Sequence, residues 1–308
     1  WPLNCIALPD GTPVWGGTYF SKSDWLAALE QIATMYFDDP NTVIEYGNKL
    51  KSGLAEMVEV NKNPEKNSFS KSDLEDVLVP WMRSWDRQWG GMNRAPKFPM
   101  PSNYHYILRY GVLSGHSEVQ NYLHLSLERM SYGGLFDFVH GGFTRYATDR
   151  FWKVPHFEKM LYDNAQLLGL FASAQRHRPS KHYAAVLLQT KSFLEHWMQL
   201  NNGLFGAALD ADSATPESIR EEGGFYTWTQ EELQDLDLWD TPLFKAYFDL
   251  GPNAKWEGKY ILHRTQSDLE FSQEHGVPVE VLLEHVHQWR EALLKASHIL
   301  TKGNSAGS

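Results

Sequence analysis

From His140 to Leu167 the chain reads "HGGFTRYATDRFWKVPHFEKMLYDNAQL", with His140, Arg145, Tyr146, Trp152, His156, Lys159 and Asp163 in one short stretch. These residue types fit proton transfer. A histidine titrates near neutrality, a carboxylate can orient it or share its acid/base work, and Lys or Arg can hold a developing oxyanion. His156 is the first candidate for such a group and His140 the second. Pro155 suits a first helical position, with Glu158 in the first turn. That reading places His156, Lys159 and Asp163 on one helix face. A salt-bridge cluster that caps a helix would use the same residues, so the alternatives stay open at this point.

Two further loops carry candidates. "GLFGAALDADSATPESIREEGGFYTWT" sets Asp210 and Asp212 two residues apart, ahead of Glu222 and the strand-like segment holding Trp228. Paired carboxylates can hold sugar hydroxyls, act as acid and base, or cleave a glycoside, but Asp is also an ordinary loop former. "WGGMNRAPKFPMP" offers Arg94 and Lys97 as positive charge at a cavity rim or as solvated loop residues. His116, His177 and His182 read as solvated turn residues. No nucleotide, zinc-protease or serine-hydrolase motif is present, so no metal and no cofactor is expected.

The elements that must position these loops are mostly helices. Apolar residues recur at helical spacing in stripes such as Val119, Tyr122, Leu123, Leu127 and Met130, or Tyr183, Val186 and Leu187. Ser21 with Asp24 and Ser70 with Asp73 mark helix starts. "LNCIAL" and "TPVWGGTYF" flank Pro-Asp-Gly and read as a hairpin. Short turns at 114–117 and 177–181 alternate with long loops at 88–101, 132–156 and 201–228. Antiparallel helical hairpins would gather the long loops at one end, where sites are usually built.

Composition removes several function classes. The 308 residues carry a net charge of −10 and no Lys/Arg-rich run, which argues against nucleic acid as a partner. No apolar stretch is long enough to span a membrane. Cys5 is the only cysteine, which fits a reducing, cytoplasmic setting and a small buried apolar role for Cys5 itself. Aromatic residues reach 14%, including 12 Trp, which fits a large layered core or a pocket that stacks flat ligands such as sugars. Both ends read as interrupted, the first starting inside a strand and the last being Gly/Ser-rich.

Five segments then show a resemblance: "WPLNCIALPDGTPVWGGTYF", "GGMNRAPKFPMP", "GGLFDFVHGGFTRYATDRFWKVPHFEKMLYDNAQL", "ALDADS" and "EEGGFYTWT". In this order they resemble the spermatogenesis-associated protein 20-like family, which joins a thioredoxin-like domain to a six-hairpin (α/α) barrel. The resemblance implies a mainly α chain, a partial (α/α)6 toroid preceded by the C-terminal part of a thioredoxin-like α/β domain. It implies residues 1–38 as the thioredoxin-like remnant, 39–69 as connecting helix and linker, and 70–308 as an incomplete barrel. Pro2 would take that fold's cis-proline position. The barrel is similar to those of N-acylglucosamine 2-epimerases, so the resemblance implies a small sugar or glycan as substrate. His156, His140, Asp210 and Asp212 are then the catalytic candidates. Lys97, Arg145, Tyr146, Trp152, Lys159, Asp163, Glu222 and Trp228 would bind substrate. The alternatives are a glycosidase using paired carboxylates, a thioredoxin-like redox or folding-related protein with a client-binding barrel, and a non-catalytic glycan-binding module.

Overall fold

A computed structural model describes residues 3–59, 68, 70–214 and 220–301. The chain divides into two compact units, Trp1–Leu74 and Glu75–Ser308. Pro2 and most of the 61–70 linker lie outside the described residues.

The first unit is a hairpin followed by two helices. Strands β1 (Asn4–Ala7) and β2 (Pro13–Gly17) pair antiparallel, with Ile6 opposite Trp15. The Pro-Asp-Gly turn forms because Asp10 accepts the Thr12 N–H at 2.9 Å while Gly11 takes φ +85°. Helix α1 (Lys22–Asp38) is capped by Ser21, and α2 (Pro40–Val58) by Asp39 with Pro40 in its first turn. Gly47 lets α2 approach Thr12 and Val14 closely. Cys5 is exposed rather than buried. Successive strand residues point to opposite faces, and Cys5 faces away from the side that Ile6 shares with the helices.

The second unit is built from helical hairpins. Helix α3 (Lys71–Met82) leads through a long loop to α4 (Pro101–Ser114), and one short turn joins α4 to α5 (Ser117–Tyr132). The next long loop holds three two-residue strands, β3 (Tyr146–Ala147), β4 (Pro155–His156) and β5 (Lys159–Met160). It ends in α6 (Leu161–His177), which turns tightly into α7 (Lys181–Phe193), continued as one π-helical turn to Met198. The α4–α5 and α6–α7 hairpins pack side by side through α4 and α6, as successive antiparallel helical hairpins. A third loop carries β6 (Ala208–Leu209), β7 (Asp212–Ala214), β8 (Arg220–Glu222) and β9 (Thr227–Trp228). After it come α8 (Gln230–Asp235), α9 (Pro242–Tyr247), β10 (Tyr260–Ile261), α10 (Asp268–His275) and α11 (Val279–Thr301).

The expected stripes form the core. Val119, Leu123, Leu127 and Met130 are fully buried, and they pack with Ile107, Leu167, Phe171 and Tyr183. A second cluster gathers Trp228, Leu233, Phe244, Phe248, Leu282 and Trp289. Among the described residues no helix is long and apolar enough to cross a membrane.

One local expectation fails. The segment after Pro155 is extended, and α6 starts only at Leu161. Pro155–His156 pairs with Tyr146–Ala147, and Lys159–Met160 pairs with Ala208–Leu209. Ladder bonds to two other loop segments take the backbone groups that a helical turn would have used. His156, Lys159 and Asp163 therefore do not share a helix face.

Candidate functional site

The long loops before α4, α6 and α8 are stitched to one another. Lys97 and Ala147 exchange both backbone bonds at 2.8 and 2.9 Å, joining the first loop to the second. The β5–β6 pair joins the second to the third. Loops that would otherwise be mobile thus become a scaffold for side chains.

The first two loops share a device that the sequence repeats. Trp85-Asp86 is separated by three residues from Gly90-Gly91, as Phe136-Asp137 is from Gly141-Gly142, and an arginine stands three positions after the second glycine, Arg94 or Arg145. In both copies Asp Oδ1 accepts two loop N–H groups, those of Gln88 and Trp89 or of Val139 and His140. In both copies a buried lysine closes the loop. Lys97 Nζ donates to Asp86 at 3.0 Å and to the Gly90 carbonyl at 2.6 Å. Lys159 Nζ donates to Asp137 at 2.7 Å and to the Gly141 carbonyl at 2.8 Å. Burial works against the Asp137 carboxylate, but Lys159 and His140 outweigh it and hold its pKa far below the ordinary value. Burial lowers the pKa of both lysines, partly offset by the paired aspartates. The paired glycines sit at φ +79° in the second copy, where a Cβ on Gly142 would lie 2.4 Å from the Phe193 ring.

This device relocates several expected residues. Lys97 and Lys159 are inaccessible and held by partners inside the protein, so neither reaches a substrate. His140 is buried too, its Nδ1 3.3 Å from Asp137 and its Nε2 2.9 Å from the Ser297 hydroxyl. Trp152 is fully buried, with its indole N–H on the Trp89 carbonyl at 2.8 Å, and it plugs the space beside Gly91 and Gly133. Trp228 lies in the second core cluster. Both tryptophans are core residues because their loops fold inward against glycines and apolar neighbours. His182 is not a solvated turn residue either. Its Nδ1 accepts from Arg264 at 2.9 Å and its Nε2 pairs with Ser131 at 2.7 Å.

Four of the expected residues lie on the second loop and in the first turn of α6 that follows it. Tyr146 and His156 are direct cross-strand partners with ring centroids 5.1 Å apart, and half-exposed Phe98 lies 4.8 Å beyond Tyr146. Together they make an aromatic ridge. Beside it Arg145 donates to Glu158 at 3.0 Å, both side chains about one third exposed. Asp163, in the first turn of α6, is only 7% exposed, and its Oδ2 has no hydrogen-bond partner among the described residues. Burial raises its pKa to about 6, with Arg145 pulling the other way. The buried Nδ1 of His156 also lacks a partner among the described residues. Buried, unpaired titratable groups next to a charged, accessible surface are how acid/base sites are commonly assembled.

Asp212 and Glu222 stand on the exposed β7–β8 ribbon, and Asp210 just before it. Asp212 and Glu222 are direct cross-strand partners, and Asp210 lies 4.0 Å from Arg220. Glu222 is near enough to add to the rise in the Tyr146 phenol's pKa, which burial leads. Asp86, Asp137 and Asn164 escaped sequence reasoning. Asn164 clamps the second loop by accepting the Phe143 N–H at 2.7 Å and donating to the Phe143 carbonyl at 2.9 Å. The repeated Asp-x-x-x-Gly-Gly pattern was the signal for the two aspartates. Among the described residues no group of three or more His, Cys, Asp or Glu could hold a metal ion.

No family model matches the chain. Spermatogenesis-associated protein 20 of Mus musculus is 32% identical over 249 residues, 77% of this chain and 31% of that protein. The Homo sapiens protein of the same name is 32% identical over the same share of this chain and 32% of its own length. An uncharacterized Caenorhabditis elegans protein is 29% identical over 96% of this chain and 44% of its own. The chain thus spans about a third of the mammalian relatives it matches. Among solved structures, a sugar epimerase from a ruminal bacterium aligns at TM-score 0.40 and 16% identity, covering 74% of this chain and 70% of that one. Cellobiose 2-epimerase from Bacillus thermoamylovorans B4167 aligns at TM-score 0.38 and 11% identity, covering 77% and 72%. Likeness at that level carries neither substrate nor mechanism to this chain.

Proposed function

The chain belongs to the spermatogenesis-associated protein 20-like family, and from that premise we propose that its helical unit modifies a small carbohydrate by proton transfer, as a sugar 2-epimerase does. The observation that carries this reading is Asp163, a buried carboxyl with an unpaired oxygen and a pKa raised to about 6, set within the electrostatic reach of Arg145. The adjoining Phe98–Tyr146–His156 ridge offers flat apolar faces on which the C–H face of a sugar can rest.

The reaction needs three groups. A base removes the proton from the carbon next to the carbonyl, a cation holds the enolate oxygen, and an acid returns a proton to the opposite face. In this reading His156 and Asp163 share the acid and base roles and Arg145 holds the oxyanion. A carboxyl with a pKa near 6 exchanges protons in both directions close to neutral pH. We take the setting to be cytoplasmic, as a chain with a single cysteine implies.

Incubating the full-length protein with reducing sugars in D₂O and following the C2 proton by NMR tests the reading. Exchange that is lost in His156→Ala and in Asp163→Asn supports it. Absence of exchange with every sugar, from a protein shown to be folded, overturns it. A second reading rests on Asp212 and Glu222, opposed across β7–β8, as the paired carboxylates of a glycosidase. Release of 4-nitrophenol from aryl glycosides, abolished by Glu222→Gln, would select that reading instead.

A further inference from the structure

A separate cavity of about 430 Å³ lies among α5, α7, α10 and α11, within the range of roughly 300–1,000 Å³ typical of small-molecule sites. None of the candidate residues above lines it, and its character is distinct. Tyr132, Phe136, Phe138, Tyr247 and Phe248 form aromatic walls. The polar groups are organised rather than scattered. The Arg264 guanidinium lies over the Tyr132 ring at 4.2 Å, donates to Asp268 at 2.5 Å and to His182 at 2.9 Å, while the Tyr247 hydroxyl also donates to Asp268 at 2.6 Å. That network uses only some of the five N–H donors of the guanidinium. Gln189 supplies an acceptor, because its buried Oε1 has no partner among the described residues. Glu128, also in the lining, has its pKa raised by burial.

Charge decides what such a cavity can accept. The ionisable lining is two carboxyls, Glu128 and Asp268, against two cations, Lys181 and Arg264, with Arg264 already paired. His182 and His263 are held neutral by burial, their pKa values lowered. A phosphate or other strong anion would meet no unopposed positive field, and a cation no unopposed negative one. The lining combines donors and acceptors with aromatic faces, which suits a molecule whose hydroxyls act as both donor and acceptor and whose C–H faces are apolar.

From this geometry we infer that the cavity between α5, α7, α10 and α11 is a binding site for a neutral, polyhydroxylated small molecule. The site is independent of the loop ridge and of any reaction there. Gln189 Oε1 takes a ligand hydroxyl, Arg264 offers a free N–H, and Tyr132 and Tyr247 flank the ring. Ala185 lies on the exposed part of the lining, so Ala185→Trp fills the cavity without touching the core.

The test is saturation-transfer NMR and calorimetry on the full chain with D-glucose, N-acetyl-D-glucosamine, cellobiose and myo-inositol, each to about 10 mM. The expected result is saturable binding of at least one probe, weakened about 10-fold or more by Ala185→Trp and about 5-fold by Gln189→Leu, the loss of one hydrogen bond. Both variants should leave binding or exchange at the ridge unchanged. Two results would overturn the inference. One is no saturable binding by any probe to the folded wild-type chain. The other is binding that survives Ala185→Trp and is lost in Tyr146→Ala, which would assign the ligand to the ridge.

Discussion

Replacing Asp163 by asparagine should make the protein more stable at neutral pH, although the change removes a charged residue from the first turn of a helix, where a negative charge normally helps. The reason is the environment of the carboxyl. Its native pKa is about 6 against an ordinary 3.8, with burial as the main cause. The native state therefore holds the proton more tightly than the unfolded state does. Stability then falls as pH rises from about 4 to about 6, and levels off above. The full shift corresponds to about 3 kcal/mol at pH 7. Loss of the helix-dipole contribution and water at the site edge trim the expected gain of Asp163→Asn to about 1–2 kcal/mol. Urea unfolding at pH 4.5 and pH 8 reads this directly. The advantage of the variant over wild type should be small at the lower pH and clearly larger at the higher. A variant that is destabilised equally at both pH values would refute the reasoning, because it would mean that the ionised carboxylate is well paired in the native state, with Arg145 as the obvious partner. If the proposed reaction holds, the wild-type exchange rate should follow an apparent pKa near 6, the same titration that the stability profile reads.

Other expectations follow from the paired loop anchors and the second cavity. Asp137→Ala strands the fully buried Lys159 ammonium and should cost about 3–5 kcal/mol in urea unfolding, and Asp86→Ala should cost a similar amount through Lys97. Gly142→Ala combines a left-handed backbone with a clash against Phe193, so a loss of at least about 2 kcal/mol is expected in thermal unfolding. His182 is held neutral well below its ordinary range beside Arg264. Its contribution is present above about pH 6.5 and is lost as pH falls, so His182→Gln should flatten the acid limb of the stability profile measured between pH 7 and 5. In the proposed reading the Tyr146 ring stacks on the sugar rather than reacting with it, so Tyr146→Ala should raise the KM about 10-fold with a smaller effect on kcat.

Much of the architecture was legible wherever local chemistry decided it. Asp10 and Gly11 build the first turn, Ser21 caps α1, and the Val119–Met130 stripe is buried as its period implies. The start of α6 was misread because Pro155 and Glu158 are good helix openers, yet pairing with Tyr146 and Leu209 takes that backbone into strands. No local pattern announces a partner fifty residues away. The site shows the same division. Arg145, Tyr146, His156 and Asp163 were visible as a dense cluster, whereas accessibility was not. Lys159 and Trp152 look equally reactive in sequence, and only the approach of Gly141, Gly133 and their neighbours buries them. Asp86 and Asp137 were overlooked because each seems ordinary alone, and only their repetition gives them meaning.

That repetition also has an engineering consequence. The first two long loops each carry an Asp–Lys clasp, Asp86–Lys97 or Asp137–Lys159, that ties the start of the loop to its end. The stretch between Gly142 and Lys159 is therefore a cassette with fixed ends. Its outward positions can be exchanged while the clasp, Asn164 and the Trp152 plug preserve its entry and exit. Specificity can then diversify on this scaffold without renegotiating the core, much as antibody loops vary above a constant framework.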